Sequence, residues 1–215
     1  MIDNKELAQL RRHYSLKALS KSSVKNDPFE QFADWMNEAL NSIIMDPNAM
    51  TLATVGEDLK PAVRIVLLKE FDHSGFVFYT NYQSKKGSDL NNNPAAVLHF
   101  FWRELERQVI ISGNAKPIPH EDSEQYFRTR PLESQLSAWA SAQSSIIPDR
   151  DYLEKRYNEL KLEFKDTEVP LPPFWGGYRL VPDKFEFWQG RENRLHDRLC
   201  FRKTESHWEI VRLAP

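Results

Sequence analysis

Apolar positions change rhythm along the 215-residue chain, and the changes mark its elements. Phe29, Phe32, Ala33, Met36, Leu40, Ile43 and Ile44 recur at helical spacing, one stripe suited to packing on a core. The stripe begins at Asp27-Pro28-Phe29-Glu30, where Asp27 can cap free amides, Pro28 suits the first helical position and Glu30 completes a capping box. From Met50 to Gly113 the period shortens. MTLATV, AVRIVLLKEF, FVFYTN, AAVLHFFW and ERQVIIS are short, rich in β-branched or aromatic residues, and separated by the turn signals GEDLKP, DHSG and NNNP. Helical character returns from about 119 to 164 with a break at Pro131, and FWGGYRLV, KFEFWQ, RLHDRLCFRK and HWEIVRL then read as strands.

Short connections favour antiparallel hairpins over βαβ units. The pattern therefore predicts an α+β, mainly β fold: a closed or partly closed antiparallel barrel with flanking helices. A doubly wound sheet is the weaker alternative, because strands and helices do not alternate. Residues 1–26 are polar and end in the loose connector SKSSVKND at 20–27, so they form a flexible N-terminal segment before a single domain at 27–215.

Composition narrows the setting. With 40% hydrophobic and 28% charged residues the chain reads as an ordinary soluble protein. A net charge of -2 gives no basic surplus for nucleic acid, and no apolar run approaches membrane-spanning length. The N-terminus lacks the apolar core of a signal peptide. The single cysteine, Cys200, excludes an internal disulfide framework and any Cys-based zinc site, which fits a cytoplasmic location.

Several chemistries lose support at once. Glycine-rich phosphate loops are absent, as are H-E-x-x-H, G-x-S-x-G and any Cys/His metal spacing, so no metal is expected. Phosphate binding would fall to side chains. In strand parity Arg194, His196 and Arg198 of RLHDR share one face, which suits an anionic or electron-rich ligand; a solvated face paired with Asp197 or Glu192 is the alternative. Arg64 and Lys69 are cations set in an apolar run. Their separation puts them on opposite faces of a regular strand, serving two anions, or one if a bulge intervenes; otherwise Lys69 simply opens an exposed turn. Ser84-Lys85-Lys86 can open a helix and cradle a phosphate. Tyr126, Arg130 and Ser134 follow at i, i+4 and i+8 across the Pro131 break and can ring a second one. Phe78, Tyr79, Trp139, Trp175 and Trp188 suit a flat heteroaromatic ligand, although most aromatics pack cores.

In order and spacing, RIVLLK, FYTNYQSKK, LERQV, YFRTRPLESQLSAWAS, VPLPPFWGGYRL, EFWQG and RLHDR resemble the pyridoxine 5′-phosphate oxidase family, from about Arg11 to the final RLAP. The resemblance implies a split β-barrel homodimer of the FMN-binding type, with flavin mononucleotide at the subunit interface. It implies cofactor contacts from Arg64, Ile65, Val66, Leu67, Leu68, Lys69, Tyr79, Thr80, Lys85, Lys86, Gln108, Gln143, Ser144, Trp188 and Arg198. Lys69, Tyr126, Arg130 and Ser134 would hold a substrate phosphate. Arg194 and His196 would act as catalytic residues over the pyridine ring beside Leu195, with Arg11, Arg12, His13 and Tyr14 as a lid. The implied reaction is oxidation of pyridoxine or pyridoxamine 5′-phosphate, with hydride passing to the flavin and O2 reduced to H2O2. Lys85 stands where some members carry Arg, which keeps the charge but gives up the bidentate fork. A flavin reductase and a non-catalytic pyridoxal phosphate carrier share most of these residues, though a reductase needs no second phosphate site.

Overall fold

A computed structural model describes residues 8–9 and 13–215. Among the described residues the helices are α1 (Pro28–Leu40), α2 (Lys85–Asn92), α3 (His120–Thr129), α4 (Leu132–Ala140) and α5 (Arg150–Glu163). The strands are β1 (Ala49–Val55), β2 (Pro61–Leu67), β3 (Glu70–Asp72), β4 (Gly75–Asn81), β5 (Ala95–Trp102), β6 (Arg107–Pro117), β7 (Trp175–Gln189), β8 (Asp197–Lys203) and β9 (Trp208–Leu213). They hydrogen-bond in the order β2-β1-β5-β6-β7-β4-β3, with β8 joining β7 and β9 joining β8. The expected antiparallel, mainly β fold with flanking helices is the one observed. No helix among the described residues is long and apolar enough to cross a membrane.

The chain divides into two compact units. One comprises residues 1–47, 99–111 and 184–215. Here the Asp27 carboxylate caps α1 by accepting from the Phe29 and Glu30 amides at 2.7 and 3.4 Å. The helix sets Phe29 against Phe185 and Trp35 against Phe187, ring centroids 5.2 and 5.3 Å apart. It ends at Leu40, short of the apolar stripe, and Ile43 is 89% exposed. The Ser42 hydroxyl explains the stop: it donates to Ala39 O and accepts from the Ile44 amide, satisfying backbone groups outside a helix.

The other unit comprises residues 48–98 and 112–183. AVRIVLLKEF, read as one strand, is two. β2 pairs with β1, placing Arg64 opposite Leu52, whereas β3 pairs with β4. Between them the Leu68 amide turns to Asn48 O and the Lys69 amide to Val77 O, so the chain changes ladder here. In contrast FWGGYRLV and KFEFWQ join into the single strand β7. β4 pairs with its residues 175–180 and β8 with 184–189, leaving Pro182, which has no N–H to donate, in the stretch that neither covers.

Helix α2 is seated by its cap. The Ser84 hydroxyl donates to Asn81 O at 2.7 Å and accepts from the Gly87 amide at 3.4 Å. A Cβ at Gly87 would lie 2.1 Å from Tyr82 O, so only glycine lets the first turn settle onto that backbone. The break between α3 and α4 falls at Pro131, with Arg130 in extended geometry (φ -73°, ψ 147°). Behind that junction Phe127, Leu136, Ala140, Leu160, Val169 and Trp175 form an apolar cluster. Removing the α2 cap is expected to loosen the lysine-bearing turn. Ser84→Ala should lower the unfolding free energy by about 1 kcal/mol in urea titration, and an unchanged midpoint would show that the cap contributes nothing.

Candidate active site

Within the 48–98/112–183 unit lies a cavity of about 960 Å³. β2 and the residues after it supply Arg64, Ile65, Val66, Leu67 and Lys69; β4 supplies Tyr79 and Thr80. The first turn of α2 brings Lys85 and Lys86, the α3–α4 junction brings Tyr126, Arg130 and Ser134, and the loop after α4 brings Gln143 and Ser144. Leu68 does not line the cavity; it is buried at 6% exposure. Because β2 ends at Leu67, Arg64 and Lys69 border one cavity instead of the opposite faces of one strand. Asn81, Thr129, Ser137 and Ser141 also line it and were not anticipated. Asn81, at the polar end of FVFYTN, carried the only readable signal.

The cations fall into two groups. In the first, Arg64 Nη1 donates to Thr54 Oγ1 at 2.7 Å and to the carbonyls of Leu52 and Ala62 at 3.2 Å. Lys85 Nζ lies 2.8 Å from Asp89 Oδ1. Lys86 is buried, donating to Gln143 Oε1 at 2.8 Å and Ser84 Oγ at 3.1 Å. Burial, with the Arg64 charge adding to it, pushes its ammonium pKa down to about 8. In the second group the Arg130 guanidinium sits 4.7 Å above the Trp175 ring. Tyr79, Tyr126 and Trp175 stack nearly parallel, with Tyr79–Tyr126 centroids 3.9 Å apart, and Lys69 Nζ lies 6.0 Å over Tyr126. Burial raises the Tyr79 phenol to about 12, with Glu70 contributing, so it stays a neutral donor.

One buried donor is left without a partner among the described residues. Arg130 Nη1 is buried and has no hydrogen-bond partner, while burial lowers the guanidinium pKa. An unsatisfied buried donor costs about 1–3 kcal/mol, which an anion at that spot removes. These donors fit phosphate esters, and the aromatic stack suits a flat ring between them.

The remaining predicted residues belong to the other unit, described by itself. Tyr14, Trp188 and His196 cluster there, with Trp188–His196 centroids 4.7 Å apart and Tyr14 edge-on to both. His196 Nδ1 accepts from the Arg191 amide at 3.1 Å. Burial and then the Arg194 charge hold its pKa below the ordinary value, so the ring is neutral near pH 7 with its proton on Nε2. Gln108 Oε1 lies 3.0 Å from His99 Nε2. Leu195 and Tyr14 line a smaller cavity of about 380 Å³; His13 is exposed, and Arg11 and Arg12 lie outside the described residues.

The shared face expected for Arg194, His196 and Arg198 is not formed. Glu192–Arg194 is a 3₁₀ turn with Asn193 and Arg194 at φ 55° and 63°, and β8 begins only at Asp197. Strand parity cannot apply ahead of a strand. The Arg198 fork is held by Glu186, at 2.7 and 3.1 Å, rather than by Asp197 or Glu192. Two of the aromatics are also structural: Phe78 is fully buried, and Trp139 donates to Pro170 O while packing on Phe174.

The fold and this cation-lined cavity place the chain among the split β-barrels. It resembles the crystal structure of a pyridoxamine 5′-phosphate oxidase-related, FMN-binding protein from Nostoc punctiforme PCC 73102, with a TM-score of 0.69 at 15% identity over 88% of this chain and 98% of that one. It is closer to PhzG from Burkholderia lata 383, solved with tetrahydrophenazine-1-carboxylic acid (TM-score 0.87, 29% identity, 94% and 100% covered). The pyridoxamine 5′-phosphate oxidase family model matches residues 36–163, and that of the pyridoxine 5′-phosphate oxidase C-terminal dimerisation region matches 175–215. The chain belongs to the pyridoxine/pyridoxamine 5′-phosphate oxidase family. Relatives named as that oxidase include one from Cupriavidus taiwanensis (53% identity, 98% of this chain, 99% of the relative) and one from Cyanothece sp. PCC 7425 (51%, 97% and 98%).

Arg130 offers a direct check on the ligand reading. Arg130→Met should leave the ligand-free protein at least as stable in urea, because it deletes an unpaired buried donor, yet abolish thermal stabilisation by inorganic phosphate at this site. A loss of about 3 kcal/mol or more would instead mark Arg130 as structural.

Proposed function

We propose that this protein is an FMN-dependent oxidase that converts pyridoxine 5′-phosphate or pyridoxamine 5′-phosphate to pyridoxal 5′-phosphate, with O2 as acceptor and H2O2 as product. The observation that carries the reading is the second cation group, with its unpartnered Arg130 Nη1, in the same cavity as the first. A flavin reductase has no use for that second phosphate site.

Arg64, Lys85 and Lys86 hold the FMN phosphate, assisted by Thr80, Gln143 and Ser144. Residues Ile65 to Leu67 and Tyr79 border the flavin, with Gln108, Trp188 and Arg198 as further contacts. Lys69, Tyr126, Arg130 and Ser134 bind the substrate phosphate, and fixing it orients the ring carbon to be oxidised. FMN held there would supply the redox chemistry, oxidation at the substrate C4′ carbon coupled to reduction of O2. The chain itself binds, orients and shields. Arg194 and His196 position and polarise the pyridine ring; a neutral His196 keeps its proton on Nε2, available to donate to a ring substituent. Leu195, His13 and Tyr14 are further substrate contacts. The match to a dimerisation region over residues 175–215 supports a homodimer, with the flavin at the subunit interface. Lone, buried Cys200 suits a cytoplasmic enzyme.

The purified protein should be yellow and, given pyridoxine 5′-phosphate in air, should release pyridoxal phosphate and peroxide in equal amounts. A colourless protein that takes up no added FMN would overturn the cofactor, and FMN binding without turnover would leave a carrier. Lys86 adds a pH signature. Its pKa near 8 rises again when a phosphate sits beside it, so binding above that pH must take up a proton. FMN affinity should hold steady from pH 7 to about 8 and then fall by up to tenfold per unit. Lys86→Arg should flatten the profile in fluorescence titrations; an unchanged slope would assign it to another group.

A further inference from the structure

Behind the first cation group stands a carboxylate outside the cavity wall. Asp89 is 2% exposed and lies on α2 one turn after Lys85. Its Oδ1 accepts from Lys85 Nζ and its Oδ2 from Thr54 Oγ1, both at 2.8 Å. Thr54, on β1 and 1% exposed, in turn accepts from Arg64 Nη1 at 2.7 Å. A hydroxyl has one hydrogen. Because Thr54 gives it to Asp89, its lone pairs face Arg64, and the order guanidinium, hydroxyl, carboxylate is fixed. Backbone geometry keeps room for the arrangement: a Cβ at Gly56 would come 2.5 Å from Asp89 Oδ1 and 3.4 Å from Lys85 Nζ.

We propose that Thr54 and Asp89 are positioning residues for phosphate recognition, setting the Arg64 guanidinium and the Lys85 ammonium from behind so that both meet a phosphate ester in the cavity. The inference rests on assigning Arg64, Lys85 and Lys86 to the FMN phosphate. With Nη1 held by three acceptors and Nη2 lying 3.8 Å from Asp89 Oδ2, rotation of the guanidinium is blocked, and the donors left for an anion are on Nε and the outer side of Nη2. A carboxylate beside an anion site opposes binding by simple Coulomb repulsion. Its presence is accounted for by what it gives in geometry, since a planar fork recognises phosphate only when correctly turned.

The test uses flavin-stripped full-length protein titrated with FMN and with riboflavin, which lacks the phosphate. Wild type should bind FMN far more tightly; if it does not discriminate, the FMN-phosphate assignment falls and the inference with it. Thr54→Val removes the hydroxyl without changing charge. It should weaken FMN by about tenfold, the scale of one hydrogen bond to a charged group, while riboflavin stays within about twofold, and Thr54→Ser should restore FMN binding. Asp89→Asn should give the same selective loss, and the double variant no more than the larger single one. Where wild type discriminates, variants that keep its full preference for FMN, or that lose both flavins equally, would overturn the inference. So would tighter FMN binding in Asp89→Asn, which would make Asp89 only a competing charge. Should Thr54→Val not fold, Asp89→Asn carries the same comparison.

Discussion

Cations confined in a partly apolar cavity, with too few carboxylates to answer them, are the constraint on which the rest of this molecule turns. Among the described residues no ion pair engages Lys69, Lys86 or Arg130, and one guanidinium nitrogen of Arg130 is buried without a partner. Such groups are tolerated in a fold only when something compensates them. Lys86 shows the strain as a lowered proton affinity, relieved in part by Gln143 and Ser84. A bound anion would complete what the chain leaves open, and side-chain cations would then do the work of a glycine-rich loop.

Apart from Arg64, which sits within β2, the architecture delivers these cations at places where regular structure stops. Lys69 lies where the chain leaves the β1 ladder for that of β4, Lys85 and Lys86 where α2 begins, and Arg130 where proline separates α3 from α4. At such breaks a side chain escapes the alternation of a strand or the stripe of a helix, so groups distant in sequence can converge. Rigidity comes from the elements on either side: the Ser84 cap beneath the lysines and the Phe127–Trp175 cluster behind Arg130.

That division explains what was legible in the sequence. Capping residues and prolines act locally, so the starts of α1 and α2 and the break at Pro131 could be read directly, and with them Lys85, Lys86, Tyr126, Arg130 and Ser134 of the cavity wall. Ile65 to Leu67, Thr80, Gln143 and Ser144 came only from the family resemblance. Strand parity failed at RLHDR because Asn193 and Arg194 adopt left-handed backbone, a choice that neither residue type announces. The Arg198–Glu186 pair was hidden for a different reason: it depends on the β7–β8 register, which spans a turn of unpredictable shape. Thr54 was invisible among the strand residues of MTLATV, since nothing local distinguishes a buried hydroxyl that bridges two charges from one that merely fills space. Asp89, four residues after Lys85, did carry a helical signal, but it reads equally as a surface pair.

The same pair resolves the departure at Lys85. A lysine in place of arginine gives up a planar fork and gains a flexible stem, so its head would wander if solvent alone surrounded it. Asp89 removes that freedom from within the same helix, and Gly56 keeps the space in which the two meet. Lys85 is half-exposed, so its bond to Asp89 contributes little stability on its own account. Its consequence is positional: the ammonium is held at the mouth of α2, next to Arg64, which the same carboxylate reaches through Thr54 and directly, 3.8 Å from Nη2. In the proposed site, charge recruits the ligand, and a buried counter-charge decides how that ligand is met.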